Sequence, residues 1–248
     1  MTVPQLHAPT TTTFSLEDNP SWWDPDSGCT IVIARPNTEP TLWEDYVRGA
    51  EHSYRKHGVE SALDVDALRR GDDTLLFCAG VNQAGRVVGG LRAKGPYRSA
   101  EECHAIREWA GQPGESAVRK MVTDRIPFGV IEMKTAWVNS DLDESGALTD
   151  TIARSSFHSM ALLDINFIVA TAASYVLNRW LSSGGVMAKI PATPYPDHRY
   201  QTKMMWWDRQ TIAKNADPKQ LSKFVAELER IRPRRPLAAV PDLALEMA

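Results

Sequence analysis

Cysteine is scarce in this chain. The 248 residues hold three, Cys29, Cys78 and Cys103, far apart and without a C-x-x-C pair. That count and spacing argue against a disulfide framework or a cysteine zinc site and fit a reducing compartment. Long apolar runs are lacking too. The longest, Ile165 to Leu177, is broken by Asn166, Thr171, Ser174 and Tyr175, short of the roughly 18 residues of a spanning helix. Positive charge is not in excess. A formal net charge of −3 gives no electrostatic case for nucleic acid. Met1 to Thr13 has no basic n-region and no apolar h-region, so it does not read as a secretory signal. His52, His57, His104, His158 and His198 form no ligand pattern, since His52 and His57 miss the i, i+4 spacing of a helical zinc pair. The expectation is a cytoplasmic protein with no metal, no nucleic-acid partner and no membrane span.

What is present is ordinary globular material, 43% hydrophobic and 24% charged. Residues 1–28 show no periodicity and read as a tail, except that Trp22-Trp23 should dock on the domain or a partner. Residues 29–210 carry the regular patterns. Cys29 to Ala34 reads as a strand. Thr41 caps a helix with Leu42, Trp43, Tyr46, Val47, Ala50 and Tyr54 on one face, and Val59 to Gly71 reads as a second short helix. Thr74 to Val81 and Arg86 to Lys94 form a hairpin about Asn82–Gly85, with Gly89-Gly90 marking a bulge or a close backbone approach. Ser99 to Trp109, with Glu102 at the capping-box position, and Glu115 to Arg125 read as helices. Val186 to Ile190 and Tyr200 to Trp207 are strand-like, and Met204 to Trp207 reads as sheet packing. In the last segment, 211–248, Asp217-Pro218 starts a helix. Its stripe of Leu221, Phe224, Val225, Leu228 and Ile231 must pack on the domain or, as a homodimer contact, on a second subunit. Pro233 to Ala248 reads as irregular.

The most informative stretch is Ile131 to Val186. It reads as strand (Ile131 to Val138), turn (Asn139 to Gly146), helix to about Leu163, strand (Phe167 to Ala172) and helix to Gly184-Gly185. A helix that follows a strand and a small-residue turn presents free N–H groups suited to a phosphate. Glu132 stands inside the first strand, where desolvation pushes a carboxylate toward a higher pKa and makes it a candidate base. The competing reading pairs it with Lys134, on the same strand face. Asp64, Asp66, Asp72 and Asp73 precede the hairpin and read as solvated loop acids.

The element order, with Gly85-Arg86-Val87-Val88-Gly89-Gly90-Leu91-Arg92, a long connector and Val130-Ile131-Glu132 leading to Val138, resembles the GNAT superfamily of acyl-CoA N-acyltransferases over roughly residues 29–208. Within it the chain is most similar to N-acyl-homoserine lactone synthases and N-acyl amino acid synthases. The resemblance implies an α/β fold with a central, mostly antiparallel twisted sheet and helices on both faces. It implies acyl transfer from coenzyme A (acyl-CoA) or an acyl carrier protein to a small primary amine, an amino-acid-like one included, with the acyl donor as substrate rather than resident cofactor.

By the same resemblance Glu132 and Arg92 fall where that group has a functional glutamate and arginine. A backbone N–H in the stretch Ala136 to Asn139 would polarise the thioester, and Val138 and Asn139 there would contact the donor. Ser145, Gly146 and Ala147 at the helix start, with Arg154 about two turns in, would receive phosphates. Three departures stand against this. The phosphate turn, Asp143-Glu144-Ser145-Gly146-Ala147-Leu148, has one glycine and two acids. Trp180 occupies the place of a proton-donating tyrosine. Thr135 stands where the lactone synthases carry arginine. A catalytically degenerate, CoA-binding regulatory protein of this fold is therefore the alternative.

Overall fold

The computed structural model describes residues 19–142 and 145–231. The tail before residue 19, Asp143 and Glu144 of the turn, and 232–248 lie outside the described residues. In chain order the elements are β1 (Ser21–Asp24), β2 (Cys29–Ala34), α1 (Pro40–Lys56), α2 (Val65–Arg70), β3 (Thr74–Asn82), β4 (Val87–Lys94), α3 (His104–Glu108), α4 (Glu115–Arg125) and β5 (Val130–Val138). There follow α5 (Ser145–Leu163), β6 (Phe167–Ala173), α6 (Leu177–Ser182), β7 (Val186–Met187), β8 (Thr193–Pro194), β9 (Gln201–Asp208), α7 (Ile212–Asn215) and α8 (Pro218–Ile231). They form one sheet in the order β1-β2-β3-β4-β5-β6-β9-β7, with β8 beside β9. Every pairing is antiparallel except β5 with β6. This is the expected mostly antiparallel α/β sheet with helices on both faces.

The period-two pattern of each strand decides which helices cover it. In β9, Met204 and Trp206 join Trp109, Val118 and Val122 on the α3–α4 side. Met205 and Trp207 face the other way and pack with Leu148, Ile152 and Phe157 of α5. At the opposite end of the sheet α1 lays Trp43, Tyr46, Val47 and Ala50 on Phe77 and Ala79. Gly90 lets α1 come this close, because a Cβ there would meet the Tyr46 ring and the Cys78 carbonyl.

Two features of β5 position the site. Its parallel pairing with β6 runs only from Val130–Phe167 to Met133–Ala170. Beyond that point β5 follows β4 while β6 follows β9, and the sheet splits. β5 also carries a bulge. Arg92 faces Lys134 and Gly90 faces Trp137, so Thr135 and Ala136 together oppose Leu91. One extra residue reverses the alternation. Before it, Glu132 and Lys134 reach α3. After it, Trp137 packs under α1, and Ala136 and Val138 border the α5 side. Thr135 takes a positive φ of 54°, costly for a β-branched residue. The Tyr46 hydroxyl donates to its carbonyl at 2.6 Å and Arg92 Nε donates to its Oγ1 at 3.3 Å, and both hold the bulge.

Several local expectations shift. β1 brings Ser21–Asp24 of the expected tail into the sheet against β2. Trp22 is buried and stacks on His158 with centroids 4.6 Å apart, while Trp23 stays exposed. α1 begins at Pro40, which fits a first turn where an N–H is not needed, so Thr41 is inside the helix rather than its cap. The expected second helix divides into a 3-10 turn at Glu60–Ala62 and α2, because the Asp64 side chain caps Ala67 N–H and restarts the helix. The Ser99 capping box does not form. Glu102 accepts from Arg98 N–H instead, and a 3-10 turn precedes α3. Val186 to Ile190 yields only the two residues of β7. The α8 stripe packs on its own domain through Leu221, Phe224 and Ile231, with Phe224 stacked on Phe157 at 4.8 Å. That use within the chain leaves little of the stripe, chiefly Val225, at the surface for a homodimer contact.

Candidate active site

Where β5 and β6 part, a cleft of about 520 Å³ opens through the sheet. Its two faces differ in chemistry. Toward α5 it is apolar, with Met133, Ala136, Ile152, Ala170, Val176 and Trp180. Toward α3 and α1 it is polar, with Glu108, Lys134, Thr171, Tyr54, Tyr195 and Tyr200.

Glu108 sits at the end of α3, over the split. Its side chain is completely buried. Oε1 accepts from Lys134 Nζ at 2.6 Å and from Thr171 Oγ1 at 2.9 Å. Among the described residues Oε2 is buried with no hydrogen-bond partner, and a bare buried carboxylate oxygen calls for a ligand. Burial alone would lower the Lys134 ammonium, but Glu108 and then Glu132 outweigh it and raise its pKa. His104, one helical turn before Glu108, shares a hydrogen bond with the Tyr195 hydroxyl at 2.9 Å. Burial, then Lys134 and Lys94, push its pKa down to about 3, so its ring is neutral in neutral solution. Burial raises Tyr195 and Tyr54, which stay protonated.

The open edge of β5 borders the same cleft. Asn139 N–H donates to Val88 O of β4 at 2.8 Å. Successive N–H groups alternate sides, so Val138 N–H points away from β4, into the split that β6 has left. The cleft reaches the start of α5 at Ser145 and Gly146. The first four N–H groups of a helix have no intrahelical acceptor, and those of Gly146 and Ala147 are among them. Arg179 crosses this end, donating to Gly146 O and to Asp150, both at 2.8 Å.

The residues singled out from sequence divide accordingly. Val138, Ser145 and Gly146 border the cleft, with Ala147 one position further on; Asn139 does not line it and borders a neighbouring cavity on the α1 side. Glu132 does not line it. It is fully buried, accepting from Tyr97 Oη at 2.6 Å and from the N–H groups of His104 and Ala105 at 2.9 and 3.1 Å. It caps α3 and so places Glu108; Lys134 on the same strand face pairs with Glu108 instead. Arg92 is also committed, to Asp73, Thr74 and Thr135. Burial alone would raise the Asp73 carboxyl, but Arg92 and Lys94 hold it below its usual range. Arg154 corrects the expectation of a phosphate-facing side chain. It is buried, with Nε 3.0 Å and Nη2 2.6 Å from the Glu227 carboxylate and Nη1 2.8 Å from Gln220, tying α5 to α8. Asp64 is a helix cap. Trp180 forms part of the apolar wall, edge-on to Trp207. Glu108, Tyr195 and Tyr54 carry no motif; only their meeting at the split identifies them.

Among the described residues no group of three or more His, Cys, Asp or Glu is arranged to hold a metal, and no helix is long and apolar enough to cross a membrane.

An open mixed sheet split beside a bulged strand defines the chain as a GNAT-fold protein, and solved structures agree. The CoA-dependent acyl-homoserine lactone synthase BjaI, solved with SAM and isopentyl-CoA, matches with a TM-score of 0.51 at 15% identity, over 82% of this chain and 90% of that one. FeeM, an N-acyl amino acid synthase from uncultured soil microbes, matches with a TM-score of 0.50 at 11% identity, over 76% and 96%. No family model matches the sequence. Uncharacterized protein Rv1356c of Mycobacterium tuberculosis (strain ATCC 25618 / H37Rv) is 50% identical over 232 residues, 93% of this chain and 88% of that protein. Uncharacterized protein Mb1391c of Mycobacterium bovis (strain ATCC BAA-935 / AF2122/97) matches to the same extent. The chain belongs to the family of these mycobacterial proteins.

Proposed function

We propose that the chain is an N-acyltransferase that moves an acyl group from a thioester, carried by CoA or an acyl carrier protein, to a primary amine in the cleft between β5 and β6. The observation that carries this reading is the bare, buried Oε2 of Glu108, a residue that lines the same cleft as Val138 of β5. Aminolysis needs an acceptor for the amine proton and a donor for the carbonyl oxygen as it gains charge. Glu108 Oε2 serves as the first and Val138 N–H as the second. Glu108 takes the base role expected of Glu132, whose oxygens are already occupied. The amine nitrogen attacks the thioester carbon, forming C–N as C–S breaks. One N–H proton passes to Glu108, and the sulfur leaves as thiolate and is protonated by solvent. Trp180, facing the cleft, has no proton to give it. The apolar wall from Met133 to Trp180 takes the acyl chain.

A second reading, a protein of this fold that binds CoA without turnover, is favoured by Trp180 and by the acid Asp141 beside the α5 start. Thiol release from a panel of acyl-CoAs and acyl-pantetheines, with and without amines, separates the two. Amine-dependent release is the expected result. CoA binding with no release for any pair supports the second reading.

A further inference from the structure

A second cavity adjoins the cleft on the α1 side, a groove of about 360 Å³. The two share Ser53, His57, Trp137, Val138 and Ser140, so the groove runs into the cleft at the open edge of β5. Its charge is one-sided. Arg48, His52, Lys56, His57 and Arg86 line it, and Asp45 is its only acid among the described residues. Asp45 pairs with Arg48, and Lys56 reaches out to Asp141 and Ser140. Arg86, exposed in the β3–β4 turn, makes no ion pair among the described residues and is free to bind.

The expected phosphate site is less suited. Near the α5 start, Arg179 is taken by Asp150, and Lys134 deeper in the cleft is taken by Glu108. In the groove Arg48 and Lys56 are likewise paired, and Arg86 is the cation left without an ion pair among the described residues. We propose that the groove binds a phosphate at the end of the donor's pantetheine arm, while the thioester end of that arm enters the cleft past Val138. Lys56 neutralises Asp141, in the turn after β5. The inference rests on the acyl-thioester reading above. The phosphate is common to CoA and to the phosphopantetheine of a carrier protein, and guanidinium groups bind it by charge-assisted hydrogen bonds.

The test is calorimetric binding of pantetheine, 4′-phosphopantetheine and CoA to the full chain and to Arg86→Glu and Arg48→Glu, both exposed positions at which folding is undisturbed. In the parent protein the two phosphorylated ligands should bind about tenfold or more tightly than pantetheine, with a gap that shrinks as salt is raised. Either variant should reduce that gap to within about threefold. Equal affinity for 4′-phosphopantetheine and CoA assigns the groove to the phosphate both donors share. A further gain with CoA that the variants also remove assigns it to CoA's additional phosphates. A parent protein that binds all three alike, or none, or variants that keep the full gap, would overturn the proposal. Turnover of acyl-pantetheine, which has no phosphate, tests the acyltransferase reading separately: turnover without a phosphate gap leaves that reading standing and removes this one.

Discussion

Lys134 Nζ lies 2.6 Å from Glu108 Oε1, joining β5 to the end of α3 over the point where the sheet divides. Neither group belongs in an apolar interior alone. Together they fix one carboxylate oxygen and leave the other without a hydrogen-bond partner among the described residues. The α3 end that carries Glu108 is itself anchored through Glu132, which holds the first N–H groups of that helix. One strand thus supplies the cap, the counterion and the open edge of the site.

His104 sets an acid limit on stability. Its folded-state pKa, about 3, lies below the 6.5 of a free imidazole. Between those values the unfolded chain binds a proton that the folded chain does not, so stability falls as pH drops from about 6.5 toward 3. The slope is at most about 1.4 kcal/mol per pH unit from this group. Urea denaturation of His104→Gln across that range should show a correspondingly shallower acid loss than the parent protein; an unchanged slope would remove His104 from the account.

The Arg154–Glu227 pair is structural. Arg154→Met leaves Glu227 and Asp24 buried without their cation, and should cost about 3–5 kcal/mol. In a double-mutant cycle, Arg154→Met with Glu227→Leu should lose clearly less than the sum of the single changes. Near-additive losses in chemical denaturation would contradict the coupling.

Tyr46→Phe removes the donor to the Thr135 carbonyl and leaves a buried acceptor unsatisfied, a loss of about 1–3 kcal/mol. Because that bond holds the bulge, kcat should fall about tenfold even where the variant is fully folded, with little change in donor affinity. A folded variant with unaltered kcat would show that the bulge does not depend on this bond.

Much of the fold is legible because it rests on local chemistry. Asn82–Gly85 announces the hairpin, the alternation from Met204 to Trp207 gives a strand with two buried faces, and Asp217-Pro218 starts α8. The site is less legible because it arises from departures and distant meetings. A threonine at positive φ carries no sequence mark, so the bulge and the reversed alternation after it are invisible beforehand. Glu108 and Lys134 are 26 residues apart, and Arg154 and Glu227 are 73 apart. Sequence marks Glu132 because it is an acid in an apolar strand, yet that placement is what commits it to capping α3.

The central claim is that Glu108, not Glu132, takes the amine proton. The most direct measurement is the amine-dependent rate of thiol release for Glu108→Gln and Glu132→Gln, each corrected for folded fraction. Glu108→Gln should lower kcat by about 10²-fold or more with donor affinity nearly unchanged. Glu132→Gln should lose stability while its folded fraction keeps kcat within about tenfold of the parent. Full activity in Glu108→Gln, or the larger kcat loss in folded Glu132→Gln, would contradict the account.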